Sequence, residues 1–203
     1  SDGISHGIYL LFYSMNTTKI ICNKFQNISS SDSFFYIKAE NGIEINITFD
    51  NLDLNNVHQN GGGIINIENN ENKTYGLILN NCIFSDNNNT DGGSLLINQK
   101  TYPFCKGLIV NNCEIVLNTA SGRGGAIAFF NDGNVSIIDC FCNLNAAFGG
   151  GGVIYIETDS KDKRQFYISG SEFNRNYGDK SHCIWINVLS FDDDYTFECE
   201  SCR

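Results

Sequence analysis

The sequence predicts an all-β chain, wound as a right-handed, single-stranded parallel β-helix of about seven rungs that fills residues 1–203 as a single domain. Three observations lead there. Twenty glycines, a single proline and 29 asparagines leave little that favours helix, since Gly and Asn rank low in helix propensity and Asn competes for backbone hydrogen bonds. A double-glycine tetrapeptide recurs at nearly even intervals, and a second tetrapeptide ending in Asn recurs in phase with it. A fixed period of this length dictates a repeat architecture before any local motif is read.

The first anchor is two glycines, a small residue and an aliphatic one: Gly61-Gly62-Gly63-Ile64, Gly92-Gly93-Ser94-Leu95, Gly124-Gly125-Ala126-Ile127 and Gly151-Gly152-Val153-Ile154. Its aliphatic residues follow one another after 31, 32 and 27 positions. Weaker copies place Ile8 and Phe34 before the series and Ile184 after it, making seven. The second anchor runs from Phe84 to Asn87, Ile115 to Asn118, Cys142 to Asn145 and Phe173 to Asn176, with Phe25, Leu54 and Cys202 at the matching first position of outer copies. Upstream of it lie the alternating apolar pairs Leu77/Leu79, Leu108/Val110, Val135/Ile137, Phe166/Ile168 and Tyr195/Phe197. Period-two alternation is a strand signal. A unit of strand, polar turn, Gly-Gly, second strand and loop cannot bury its own apolar face, but a stack of such units can. Propeller blades are longer, and leucine-rich repeats shorter, than this unit.

Thirteen Lys+Arg against twenty-three Asp+Glu leave a net charge of -10, which repels phosphate backbones and anionic lipid, so no nucleic-acid partner is expected. No run approaches the ~20 apolar residues of a membrane-spanning helix, and no direct membrane insertion by this segment is expected.

Stacking turns the alignment into columns. Asn87, Asn118, Asn145 and Asn176 form one, where side-chain amides can pass hydrogen bonds from rung to rung as a structural ladder. Cys82, Cys113 and Cys140 form another, read as small buried residues, with bridges between neighbouring rungs also within reach. A thiolate metal site from Cys113, Cys140 and Cys142 is the sharper alternative, but no pair of CxxC motifs faces another at zinc spacing. No metal or other cofactor is expected. The paired glycines fit tight corners, since neither a Lys-Ser/Thr nor a helix follows them as a phosphate loop would require.

With both anchors in place, the chain resembles the polymorphic outer membrane protein (Pmp) type repeat, whose units carry GGA[I/L/V] and FxxN tetrapeptides. Gly124-Gly125-Ala126-Ile127 matches the first in full, and Phe84 to Asn87 and Phe173 to Asn176 match the second; the other copies are degenerate versions. The resemblance covers essentially the whole chain. It implies a right-handed β-helical surface adhesin, although nothing here could form the outer-membrane barrel of an autotransporter.

Nine cysteines and six N-x-S/T sequons, at Asn16, Asn27, Asn46, Asn72, Asn88 and Asn134, fit an extracellular or cell-surface setting with N-glycosylation and disulfides. The chain is expected to be a segment of a longer surface protein. The favoured function is a non-catalytic adhesion or structural module that displays loops on a β-helical rod. The alternative is a carbohydrate-active β-helix enzyme of the polysaccharide lyase or glycoside hydrolase type, which would need converging carboxylates. The acids do not converge in the sequence: Asp86 and Asp91 fall in one turn, and Asp159 to Arg164 and Asp192 to Asp194 in other loops. His6, His58 and His182 lack a triad partner. No catalytic residue is assigned.

Length variation concentrates after the Gly-Gly strand, so loops from Asn69 to Lys73, Gln99 to Cys105 and Asp159 to Arg164 should project from one flank. The Gly-Gly strands are apolar on both faces. Phe34, Ile64, Leu95, Ile127, Ile154 and Ile184 are assigned inward, and Phe35, Ile65, Leu96, Tyr155 and Trp185 form an outer stripe. That stripe is either covered by neighbouring loops or offered to a partner: a protein, a glycan or a second copy of the chain.

Overall fold

The structure is a computed structural model that describes residues 8–12, 16–21, 24–30, 35–39, 45–59, 65–69, 75–98, 105–130, 133–158, 164–188 and 195–200. The described residues contain no helix. Their strands pair in parallel throughout and build three walls of a β-solenoid. Four successive turns, 75–98, 105–130, 133–158 and 164–188, are described with little interruption.

The first wall stacks Ile8–Phe12, Phe35–Ala39, Ile65–Asn69, Leu95–Asn98, Ile127–Phe130, Ile154–Thr158 and Ile184–Val188 in chain order. The second stacks Asn16–Ile21, Ile45–Asp50, Tyr75–Asn80, Cys105–Asn111, Asn134–Ile138, Arg164–Ser169 and Tyr195–Glu200. The third begins with Lys24–Ser30 and Asp53–Gln59. Each later turn then breaks into two short strands: Ile83–Ser85 and Asn88–Asn89, Glu114–Val116 and Thr119–Ala120, Phe141–Asn143 and Ala146–Ala147, Glu172–Asn174 and Tyr177–Gly178. At each break Asp86, Leu117, Leu144 or Arg175 takes positive φ, between 49° and 59°, which bends the chain; Asn56 makes the same bend, at 54°, within Asp53–Gln59.

Alternation fills the interior. Leu77, Leu79, Leu108, Val110, Val135 and Ile137 of the second wall point inward against Leu95, Ile127, Phe129 and Ile154 of the first, all essentially without solvent contact. An apolar void beside Ile137, Ile156, Phe166 and Ile186 measures about 10 Å³, at the limit of what one water needs. Among the described residues the core around it is packed.

The four asparagines hydrogen-bond in series. The Asn87 amide donates to Asn118 Oδ1 at 2.9 Å, Asn118 to Asn145 Oδ1 at 3.0 Å, and Asn145 to Asn176 Oδ1 at 3.0 Å. Each Oδ1 also accepts the backbone N–H one turn below: from Val57 at 2.9 Å, Asn87 at 3.2 Å, Asn118 at 3.1 Å and Asn145 at 2.9 Å. The second proton of each amide goes to a carbonyl, of Leu54, Phe84, Ile115 or Cys142. Buried polar groups at a bend are thereby satisfied by a side chain rather than by water.

The register of the first wall differs from the reading of the anchors. Phe35 pairs with Ile65 and Ile65 with Leu95, so Phe35 and Ile65 stand in the column of Ile127, Ile154 and Ile184. Phe35 is 1% exposed and packs edge-on to Phe49 at 5.1 Å, inside the core and not on an outer stripe. The physical reason is the alternation itself: Ile65-Asn66-Ile67-Glu68 offers its apolar residues at odd positions, and a shift of one residue exchanges the faces of a whole strand. Phe34 and Ile64, assigned inward from the anchors, lie outside the described residues.

Candidate functional site

In the first three of the four turns a Gly-Gly corner delivers the chain into the first wall. Gly92, Gly124 and Gly151 have φ of 58°, 64° and 63°, and a Cβ at any of them would strike the carbonyl three residues on. Beyond this corner, outward positions alternate with inward ones. Leu96, Ala128 and Tyr155 face outward yet are buried, at 6%, 0% and 5% exposure, while Trp185 is half-buried. The outer stripe is therefore covered over Leu96 and Tyr155, and among its described side chains Trp185 is partly open.

The cover over Tyr155 is a polar cluster that joins four turns. Arg123 follows Gly122 at the corner, and its backbone N–H donates to Asp91 Oδ1 at 2.7 Å. Its guanidinium forks onto the same carboxylate, Nε to Oδ1 and Nη2 to Oδ2, both at 3.4 Å. Nη1 lies 3.6 Å from Glu157 Oε2, one turn further on. The guanidinium carbon sits 4.4 Å from the Phe130 ring centroid and 5.1 Å from that of Tyr155. Those two rings are 5.5 Å apart. Tyr155 Oη donates to Glu157 Oε2 at 2.7 Å, and the Asn187 amide donates to the same oxygen at 3.1 Å. Glycine suits position 122 beneath the clasp, because a Cβ there would lie 2.9 Å from the Thr90 carbonyl oxygen and would also crowd Asp91 Oδ1.

The electrostatics follow from this packing. Burial pulls the Arg123 guanidinium down, but its hydrogen bonds to Asp91 and Tyr155 and the charge of Asp91 outweigh it, and the net shift is upward. Burial, then the hydrogen bond to Glu157, pushes the Tyr155 phenol up. The cluster is an ion pair shared by two carboxylates over an aromatic floor, with Lys180 Nζ 5.4 Å from the Trp185 ring beside it.

Asp91 and Glu157 thus converge on one residue, contrary to the sequence reading that the acids stay apart. Asp86 stays exposed on a different corner. Loop residues 70–74, 99–104, 159–163 and 189–194, with the acids they carry, lie outside the described residues, as does His6. The sequence signal for the cluster was an acid, Asp91, and a base, Arg123, each standing just before a Gly-Gly pair one turn apart.

The cysteine column is made of thiols. Cys82, Cys113, Cys140, Cys142 and Cys183 are all free. Cys82, Cys113 and Cys140 donate to the carbonyls of Asn80, Asn111 and Ile138 at 3.2–3.3 Å, and Ser171 continues the column with a 3.1 Å hydrogen bond to the Ser169 carbonyl. Hydrogen bonding to Cys140 and Cys82, then burial, pushes Cys113 far above the ordinary thiol range; burial does the same to Cys142. Both stay protonated at neutral pH. Among the described residues no three His, Cys, Asp or Glu side chains group as metal ligands.

Of the sequon asparagines, Asn88 and Asn134 are exposed on the third and second walls, and Asn46 is half-buried. Asn134 Oδ1 accepts the Gln165 backbone N–H at 3.0 Å. Asn16 and Asn27 lie in the strands Asn16–Ile21 and Lys24–Ser30, and Asn72 lies outside the described residues.

No protein-family model, curated protein or solved structure matches the chain.

Proposed function

We propose that the chain is a non-catalytic adhesion or structural module of the extracellular space or cell surface, a segment of a longer protein akin to the Pmp-type repeats. In this reading residues 1–203 form one right-handed β-helix of about seven rungs. The observation that carries the proposal is where the polar chemistry goes. Inside, the asparagine amides are spent on one another along the axis. Outside, the best cluster of charges is spent on a clasp between turns. Such a rod is built to hold shape and to carry surface features at fixed spacing. Its partner is a protein or a glycan, and the half-buried Trp185 with Lys180 above it is the aromatic contact best placed to meet one. Trp185→Ala is expected to weaken attachment to immobilised glycans or cell surfaces about tenfold or more, with an unchanged circular-dichroism spectrum. Equal binding by the variant and the parent would remove Trp185 from the contact.

The carbohydrate-active enzyme is kept as a second reading because Asp91 and Glu157 meet beside Phe130 and Tyr155. Glycosidases need one protonated carboxyl and one ionised, both facing the scissile bond, whereas these two face the same guanidinium. Release of unsaturated or reducing ends from a polyuronide by the purified chain, lost in Asp91→Asn and Glu157→Gln, would establish this reading over the first.

A further inference from the structure

The bend in the third wall carries a column that the adhesive reading does not use. Asp86, Leu117, Leu144 and Arg175 occupy equivalent positions on four successive turns, since the residues before them pair in register, Ser85 with Val116, Val116 with Asn143 and Asn143 with Asn174. All four have positive φ. Asn, Asp and Gly suit that conformation and leucine does not, and Asn56 takes it in an earlier turn. Nevertheless two consecutive turns place Leu here, 50% and 43% exposed, with Phe141 and Phe148 of the same turn as Leu144 exposed at 37% and 59%. Each leucine is therefore unfavourable twice over, in backbone and in hydration, and the bend itself asks for neither.

We propose that this ridge is a self-recognition surface that docks a second copy of the chain antiparallel. The argument is charge order. Along the column the sequence is acid, Leu, Leu, base, so a two-fold axis crossing the rod between Leu117 and Leu144 sets each leucine against the other copy's counterpart and Asp86 against Arg175 at both ends. The neighbouring column reads Ile83, Glu114, Phe141, Glu172. The same axis opposes Ile83 to Glu172 and Glu114 to Phe141, so no like charges meet. Parallel docking would instead face Asp86 with Asp86 and Arg175 with Arg175, which is repulsive. Among the described residues neither Asp86 nor Arg175 is engaged in an ion pair within its own chain. Asn88 lies two residues beyond Asp86 and is exposed, so a glycan there and the pairing exclude each other. The surface rests on the structural reading only in that a second copy was among its partners, and it lies on the third wall whereas Trp185 lies on the first.

The test is sedimentation equilibrium of the whole chain over a wide concentration range, on material carrying no glycan at Asn88. A reversible dimer is expected. Asp86→Arg and Arg175→Asp should each weaken it about tenfold, and the double exchange should restore it to within about threefold. Leu117→Asn with Leu144→Asn should weaken it about a hundredfold while the thermal midpoint stays equal or rises, because Asn suits the bend. A single-chain mass at every concentration, or a dimer indifferent to these four positions, overturns the proposal. Loss of the dimer with ligand attachment intact separates this surface from the adhesive reading.

Discussion

Asn118 is the residue on which most depends for its size. Its Oδ1 accepts from the Asn87 amide, the Asn87 backbone and the Ser94 hydroxyl, and its own amide supplies Asn145 and the Phe84 carbonyl. Removing it strands several buried groups at once, and each unsatisfied one costs about 1–3 kcal/mol. Asn118→Ala is accordingly expected to lower unfolding free energy by about 3–5 kcal/mol in urea titration, more than the loss of one hydrogen bond. This column was legible in the sequence because its members recur with the FxxN anchor. The Arg123 clasp was not. Asp91 and Arg123 each stand just before a Gly-Gly pair on successive turns, but the next copy carries Gly150 there and Glu157 lies further on in a strand, so no residue type recurs to mark the clasp and it rests on the reach of one arginine.

Protonation tests the same scale. Burial raises the Cys142 thiol above its ordinary 9.0, so the folded state holds that proton more tightly than the unfolded chain. Its contribution is complete below about pH 9 and is lost as pH rises beyond it. Stability measured under reducing conditions should therefore fall as pH rises above about 9, and Cys142→Ala should show a shallower fall. A thiol-reactive dye should find Cys82, Cys113, Cys140 and Cys142 only after unfolding.

At the scale of the element, the turn from third wall to first depends on close approach of backbones. A Cβ at Gly125 would lie 2.7 Å from the Ala146 carbonyl and would strike that of Gly152 on the next turn. Gly125→Ala must push two turns apart and is expected to cost about 3 kcal/mol or more, read as a fall in thermal midpoint. The double glycine in the sequence pointed to this corner. What the glycines did not give was the register of the strand that follows: Gly61-Gly62-Gly63 admits two alignments, and only Ile65-Asn66-Ile67-Glu68 decides between them. A strand aligned on its own alternation, before its anchor, would have put Phe35 in the core.

For the whole molecule, each turn pairs only with the turns directly before and after it. Stability then builds from nearest-neighbour terms, and opening is easiest where a turn has one neighbour. Parallel stacking and the all-β class were legible because a period of about 30 residues leaves few architectures. The covering of the outer stripe was not, since it depends on which side chains cross between turns.

The asparagine ladder also has a mechanical meaning. Its bonds and those of the three walls run along the rod axis, so a load applied between the two ends pulls on them in tension rather than in shear. Turns should peel away singly. Each would release about 100 Å of chain against nearly the same set of bonds, so stretching one molecule should give a train of ruptures of similar height and spacing. A link that yields in equal increments dissipates work while its remaining turns keep their grip, as a tether under fluctuating drag requires.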